Sequence, residues 1–532
     1  MGQDEYNKKL KDITKLEQFE PHVDTRKNAR NPTIKEEDRI SNELLNLQKS
    51  GNISEELYKA LKPIGSRPAQ LYGLAKVHKS NIPLRPIVSI PGTCYHKIGK
   101  FISYWLDKIP ESKIETSTSS LKNDITKIKL EADERLVSFD VSSLYTNVPV
   151  AEAIEMASVK LFQNTDKVPV DIKTFIKLAN LACTNILIQT PNGYIKQKDG
   201  LGMGIPCAPQ LANIWMSSFD KKIKGDSKIY ARYIDDILLI IKKLELKNKI
   251  REINKLHNNL FFTTEEEVNG EISFLDMKLT HKSDGNIETE WFRKETDTGL
   301  TLNYHALAPT KYKRSLVINL IHRIYNATST WKKFNKGICE AREILDYNQY
   351  PSNWYENIIN QTLEKLLHPK PKENKDIYEK KMVFINYRGR ITDHFVRKLI
   401  QTTAPIKPIL TIRKLKSALP SLKPKIDKEI SSNLVYEYSC TNCDSTYTGM
   451  TCRHLKKRIS EHNSEGEPKT QIKLHLENCI GSTANTGNFK ILKRTQKDIF
   501  HLACYEALFI RERSPDLNKK DEFRSRTLRI KI

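Results

Sequence analysis

In the string YARYIDDILLI (230 to 240), two adjacent carboxylates, Asp235 and Asp236, interrupt an otherwise apolar run. Charge set into such a strand-turn-strand is costly unless something neutralises it, and a divalent cation is the natural partner. A third carboxylate, Asp140, follows the buried-looking strand in RLVSFDVSSLYTNVP (135 to 149). Two metal ions held by Asp140 and Asp235 suit phosphoryl transfer, one activating an attacking hydroxyl and the other stabilising a leaving pyrophosphate. An isolated Asp-Asp pair is more often a solvated turn, so the spacing and the company decide. Between the carboxylate strands lies GLGMGIPCAPQLANIWM (200 to 216), a Gly-rich loop leading into a helix, able to approach a base pair without side-chain obstruction. Upstream, LYGLAKVHKSNIPLRPIVSI (71 to 90) sets Lys76, His78, Lys79 and Arg85 around a turn, a cradle for a triphosphate. Its bland alternative is an exposed basic hairpin.

A second set of residues lies near the C-terminus, in SSNLVYEYSCTNCDSTYTGMTCRHLKKRISEH (431 to 462). A strand bearing Tyr436 is followed by Tyr447-Thr448-Gly449, and a basic helix then brings Arg458 and His462 to one face. The helix HLACYEALFIRER (501 to 513) carries Glu506, and Asn518 follows. These types suit phosphodiester hydrolysis: Glu506 to hold one Mg²⁺, Arg458 to stabilise phosphorane charge, and a Tyr or His to activate water. Taken singly, each is bland. Cys440-x2-Cys443 has zinc-knuckle spacing, and His475-x3-Cys479 can complete a four-ligand N/S site for a structural Zn²⁺. The rival is a pair of unligated thiols beside a solvated histidine. Cys452 and Cys504 are left as small buried residues.

The elements that must position these groups belong to a chain of 532 residues, long enough for three or four domains. Lys and Arg number 88 against 64 acids, a formal charge of +24 that suggests a polyanionic partner such as DNA or RNA. With 38% apolar residues the chain can bury real cores, which disfavours a disordered basic protein. The longest purely aliphatic run, Ile237 to Ile241, excludes a spanning helix, and no secretory h-region opens the chain, so a soluble intracellular protein with no membrane partner is expected. Nine cysteines, five of them in the last 93 residues, read as a metal site rather than a disulfide framework. Residues 1–66 read as a polar helical extension rather than a core. From 67 to 300 short strands (LRPIVSI, RLVSFDV, YIDDILLII, ISFLDMKL) alternate with helices. Val317, Leu320, Ile321 and Ile324 beside Lys311, Lys313 and Arg314 mark a basic amphipathic helix within a helical segment, 301–380, that ends in a linker near 370. A basic connector, 381–432, leads to a Cys-bearing domain of its own, 433–525.

In this order the residues closely resemble a reverse transcriptase, and LYGLAKVHK, LRPIVS, FDVSSLYTNVP, GMGIPCAPQLANIWM, YIDD, FLDMKL and YKRSL are similar to the Penelope-like retroelements in particular. The resemblance covers about residues 55 to 330. It implies an α+β multidomain fold, a right-hand polymerase of fingers, palm and helical thumb. It makes Asp140, Asp235 and Asp236 the catalytic aspartates, with two Mg²⁺, and Tyr145 the steric gate against a ribose 2′-OH. It assigns Arg85 with Lys79 or Lys76 to the incoming deoxynucleoside triphosphate and Gly202, Met203, Gly204 and Pro206 to the nascent base pair. The hairpin-like WFRKETDTGLTLNY (291 to 304) falls at the primer grip, and the basic helix near 311 to 325 begins the thumb.

The C-terminal set resembles a small α/β GIY-YIG nuclease, with LVY (434 to 436) and YTG (447 to 449) as its namesake strands and Leu434 in place of the first Gly. That resemblance makes Tyr436, Tyr447, Arg458, His462 and Glu506 catalytic, one Mg²⁺ lying on Glu506, and Asn518 substrate-binding. The two together imply RNA-directed DNA polymerisation from template RNA, coupled to nicking of target DNA in target-primed retrotransposition, in the nucleus. One rival is a catalytically inactive or truncated nucleic-acid-binding remnant of such an element, because a DKG-type motif that the lineage carries is not seen here. Another is a telomerase-like polymerase, which would share the palm but not the nuclease.

Overall fold

The computed structural model describes residues 2–22, 31–77, 79, 81–113, 116–369, 381–401, 406–412, 414, 421, 423–466, 468–479, 481–495 and 499–518. His78, most of the expected linker near 370, and Pro405 and Pro420 of the connector lie outside them. The strands in chain order are β1 (Phe19–His22), β2 (Ala69–Ala75), β3 (Leu84–Ser89), β4 (Glu134–Val141), β5 (Ile186–Thr190), β6 (Gly193–Gln197), β7 (Tyr230–Tyr233) and β8 (Asp236–Lys242). They continue as β9 (Phe262–Glu266), β10 (Glu271–Phe274), β11 (Met277–His281), β12 (Ile287–Trp291), β13 (Lys381–Asn386), β14 (Ile406–Thr411), β15 (Leu434–Ser439), β16 (Thr446–Thr451) and β17 (Phe489–Arg494). The chain divides into two compact units, one of residues 1–113, 143–218 and 422–532, the other of 114–142 and 219–421.

The first unit carries a five-stranded sheet in the order β1-β6-β5-β2-β3. Its N-terminal part corrects the expectation of a helical extension without a core. Ile34, Ile40, Leu44 and Leu47 recur along the helix Pro32–Lys49 at helical spacing and are buried, and β1 pairs antiparallel with β6. The C-terminal segment also differs from an independent domain, because it is tied to the N-terminal residues by buried and part-buried polar bonds. His454, fully buried, has Nε2 2.6 Å from the Ser66 carbonyl oxygen, Lys457 Nζ lies 2.7 Å from Asp38, and Ser432 Oγ donates to the Gly65 carbonyl at 2.5 Å. Gly65 has φ +63°, and a Cβ there would stand 2.2 Å from the Cys452 carbonyl oxygen, so this close approach requires glycine. Within the segment, β16-β15-β17 form an antiparallel sheet over Leu455, Ile459 and Ile472.

The second unit carries the four-stranded sheet β7-β8-β4-β9 and the meander β10-β11-β12. β8 reads ILLII because it is central and buried on both faces. The helices Thr310–Ala327, Trp331–Tyr347 and Ser352–Leu367 share one core with these strands, Val317, Ile321, Phe334, Ile338 and Ile359 packing in the same cluster as Leu136, Leu238 and Leu279. The expected hairpin at 291 to 304 does not form. β12 ends at Trp291, the Asp297 carboxylate accepts from the Gly299 N–H at 2.9 Å, and Asn348 Oδ1 accepts from the Thr301 N–H at 3.0 Å, so local and tertiary bonds replace a ladder. Among the described residues, no helix is long and apolar enough to cross a membrane.

Candidate active sites

The three aspartates converge in the second unit. Antiparallel pairing of β4 with β8 sets Asp140 directly opposite Asp236, and the turn between β7 and β8 carries Asp235, whose carbonyl accepts from the Val141 N–H at 3.1 Å. One carboxylate oxygen from each lies within 4.8 Å of the others. Desolvation, with Asp235 and Asp140 adding like charge, pushes Asp236 up to about 6, and Lys294 opposes the shift. Carboxylate oxygens crowded this closely fit a divalent cation, which would offset both the desolvation and the like charge that raise Asp236. The turn needs Ile234 at φ +60°, an unfavourable conformation for a β-branched residue.

What holds that turn is a cluster that sequence reasoning missed. Arg232 Nε and Nη2 donate to the two Asp220 carboxylate oxygens at 2.8 and 2.9 Å, and Arg232 Nη1 reaches the Ile234 carbonyl at 3.4 Å. The Tyr230 hydroxyl donates to the same carboxylate at 2.6 Å. Arg232 and Tyr230 alternate along β7 and so share a face, a signal that was available; their acceptor, Asp220, sits on the helix Ala208–Lys224 and was not. Lys294 is a further missed residue, just beyond β12, close enough to act on Asp236.

The other expected polymerase residues belong to the first unit. Lys76 and Lys79 lie in the turn between β2 and β3, where the Lys76 N–H bonds the Pro83 carbonyl, and Arg85 is exposed on β3. Tyr145 occupies a short helix, Leu144–Asn147, and its carbonyl accepts from the Leu201 N–H at 2.6 Å. The loop at Gly202, Met203, Gly204 and Pro206 is stitched to β3 by the Val88 N–H donating to the Met203 carbonyl at 2.9 Å. Gly204 has φ +130°, and a Cβ there would stand 2.1 Å from the Val88 carbonyl oxygen. Glycine is therefore required there by contact with β3 alone.

In the C-terminal segment the structure brings Tyr436, Tyr447, Arg458 and His462 together. The Tyr436 hydroxyl is 2.8 Å from His462 Nε2 and accepts from Arg458 Nε at 3.1 Å, while His462 Nδ1 lies 2.9 Å from Thr470 Oγ1. The Tyr447 and His462 rings stand edge to face at 6.1 Å. A Cβ at Gly449 would be 2.7 Å from the Tyr436 hydroxyl, so the Gly of YTG makes room for that group. Burial, partly offset by Arg458, pushes Tyr436 up to about 12, and burial with Arg458 holds His462 down to about 3. A neutral imidazole bonded to a phenol, with a guanidinium alongside, can relay a proton and meet an anionic phosphorane. Glu506, on the helix Ile499–Arg513, raises Tyr436 electrostatically. Asn518 uses both ends of its amide on the Thr448 backbone, each at 2.9 Å.

The four expected zinc ligands are also adjacent: Cys440 Sγ to Cys479 Sγ is 3.9 Å, Cys443 Sγ to His475 Nε2 is 3.7 Å, and all four donors lie within 4.8 Å of one another. Tetrahedral zinc with bonds of about 2.3 Å to sulfur and 2.0 Å to nitrogen separates such donors by about 3.5–3.8 Å, so the set fits. Desolvation raises the Cys440 thiol, but the Asn442 and Cys443 N–H groups outweigh it and draw it below its ordinary value.

Residues 77–267 match the family model of the reverse transcriptase (RNA-dependent DNA polymerase), and this segment is a reverse transcriptase domain. Residues 300–360 match that of the animal helix-turn-helix domain. Among solved structures, the chain is similar to telomerase from Candida albicans in complex with a telomeric RNA fragment, at 11% identity and a TM-score of 0.37, over 62% of this chain and 59% of that one. It is similar to apo telomerase from Candida tropicalis at 12% identity and a TM-score of 0.34, over 62% and 66%. A third similarity is to the RNA polymerase complex inside a double-stranded RNA virus, at 13% identity and a TM-score of 0.32, over 60% and 29%. No curated protein matches the chain.

Proposed function

We propose that the chain is an RNA-directed DNA polymerase coupled to a DNA-nicking endonuclease, the combination that Penelope-like retroelements carry, and that it acts by target-primed reverse transcription at nuclear DNA. The observation that supports it most is the convergence of Asp140, Asp235 and Asp236 at one strand-turn-strand within a segment that matches reverse transcriptases. These three would hold Mg²⁺, which supplies charge stabilisation to a transferring phosphoryl group. Their own part is to present oxygens in fixed register, with the Asp220–Arg232 pair steadying the turn. Lys76, Lys79 and Arg85 bind triphosphate, Tyr145 screens the sugar, and Gly202 to Pro206 face the new base pair. Template RNA, target DNA and deoxynucleoside triphosphates are the partners.

The nuclease reading rests on the Tyr436, His462 and Arg458 cluster with Glu506 nearby. Arg458 neutralises charge on phosphate, the Tyr436–His462 pair moves a proton, and Glu506 would hold one Mg²⁺. Zinc at Cys440, Cys443, His475 and Cys479 would tie the loop before β16 to the helix Gln471–Asn478. The test is Mg²⁺-dependent extension of a DNA primer on an RNA template together with nicking of duplex DNA, on one purified sample. Glu506→Ala should stop nicking and spare extension; full nicking by that variant would overturn the nuclease reading, and loss of both together would argue for misfolding instead.

A further inference from the structure

We infer that the β-α-β unit spanning Lys381–Thr411 is a platform for unpaired bases of a single-stranded nucleic acid. β13 and β14 pair in parallel, and among the described residues no third strand joins either edge. The pleat sorts β13 into two faces. Val383 and Ile385 are half-buried, whereas Met382 and Phe384 are 61% and 64% exposed. The register sets Lys407 opposite Met382 and Ile409 opposite Phe384, so the open face presents an aromatic ring, a thioether and an ammonium side by side. Asn386 and Thr411 close that row through a bond of 2.8 Å between Thr411 Oγ1 and Asn386 Oδ1.

Charge selects the occupant. Residues 381–411 contain six Lys or Arg and a single acid, Asp393. That acid accepts from the Tyr387 hydroxyl at 2.9 Å. Arg388, Arg390, Arg397, Lys398 and Lys407 are all exposed. A flat apolar patch within an unopposed basic field is the arrangement that binds a strand through base stacking and phosphate contact, with little demand on sequence. Duplex DNA hides its base faces and cannot use Phe384 in this way, so the ligand is an unpaired stretch of RNA or DNA.

The test uses the full chain in EDTA, with fluorescent oligo(U) in one arm and oligo(dT) in the other, read by anisotropy across a salt series. Phe384→Ala should weaken binding by about 5- to 150-fold and Phe384→Trp should restore it. Lys407→Gln should reduce the slope of log affinity against log salt by about 0.7. Ultraviolet crosslinking with a 4-thiouridine strand should modify the tryptic peptide Met382–Arg388. Similar loss in both arms supports a stacking platform, and loss in one arm names the strand it takes. Unchanged affinity for Phe384→Ala together with an unmodified peptide would overturn the inference. So would a change from dimer to monomer in Phe384→Ala without loss of oligonucleotide affinity, because the face would then cover a second copy of the chain. Binding in EDTA does not depend on catalysis, so failure of the polymerase assignment leaves this result readable.

Discussion

Arg232 and Asp220 make a quantitative case for how the carboxylate turn is held. The Arg232 side chain is 11% exposed and the Asp220 side chain 28%, and two charge-assisted bonds join them. Asp220→Ala takes two charge-assisted bonds from the buried Arg232 guanidinium and the 2.6 Å acceptor from the Tyr230 hydroxyl, a cost of about 3–5 kcal/mol. Arg232→Met leaves the better-hydrated partner behind and costs less, about 2–3 kcal/mol. The double variant removes both charges of the pair, so its loss falls short of the sum of the singles by at least about 2 kcal/mol. Hydrogen exchange of the β8 amides reads these losses locally, tenfold in protection for each 1.4 kcal/mol or so. All three variants should also slow primer extension, because the turn at Ile234 and Asp235 loses its anchor. Additive losses, agreeing within about 0.5 kcal/mol, would refute the claim that the pair acts as a unit.

Three further outcomes follow from the same geometry. His462 is held at about 3 against an ordinary value near 6.5. The unfolded chain therefore takes up a proton that the folded chain refuses, and stability, complete above pH 6.5 or so, falls as pH drops toward 3, by about 2 kcal/mol at pH 5. Unfolding of the C-terminal segment followed at pH 7.5 and pH 5 checks this, and equal stability at the two would contradict it. Gly204→Ala forces a side chain against the Val88 carbonyl at a positive φ, so it should cost about 1–3 kcal/mol from backbone strain alone, with faster exchange of the Val88 amide; wild-type exchange there would count against the packing described. Metal analysis should find about one equivalent of zinc, lost on Cys440→Ser, and zinc below about half an equivalent in the parent would remove the Cys/His site.

The convergence of the three aspartates was legible because two charges set against the buried run ILLII are costly unless something neutralises them, and that of Cys440, Cys443, His475 and Cys479 because of their spacing. The Tyr436, Arg458 and His462 cluster was legible from one helical turn and one strand. Arg232 was not, since its meaning depends on Asp220, which a different element supplies. Residues 1–66 misled because their apolar positions are sparse along each stretch, yet Ile34, Ile40, Leu44 and Leu47 recur on one buried face and β1 completes a sheet whose partner strand lies far along the chain. The expected hairpin after Trp291 failed because Asp297 and Asn348 satisfy its backbone locally and from a helix end.

Whether Asp140, Asp235 and Asp236 form one metal-dependent polymerising centre is decided by extension of a DNA primer on an RNA template in Mg²⁺. The parent and the Asp235→Asn/Asp236→Asn variant are compared, each first shown to be folded. The parent should extend the primer, EDTA should abolish that extension, and the variant should give none. Full extension by the variant, or a folded parent that extends nothing, would contradict the assignment.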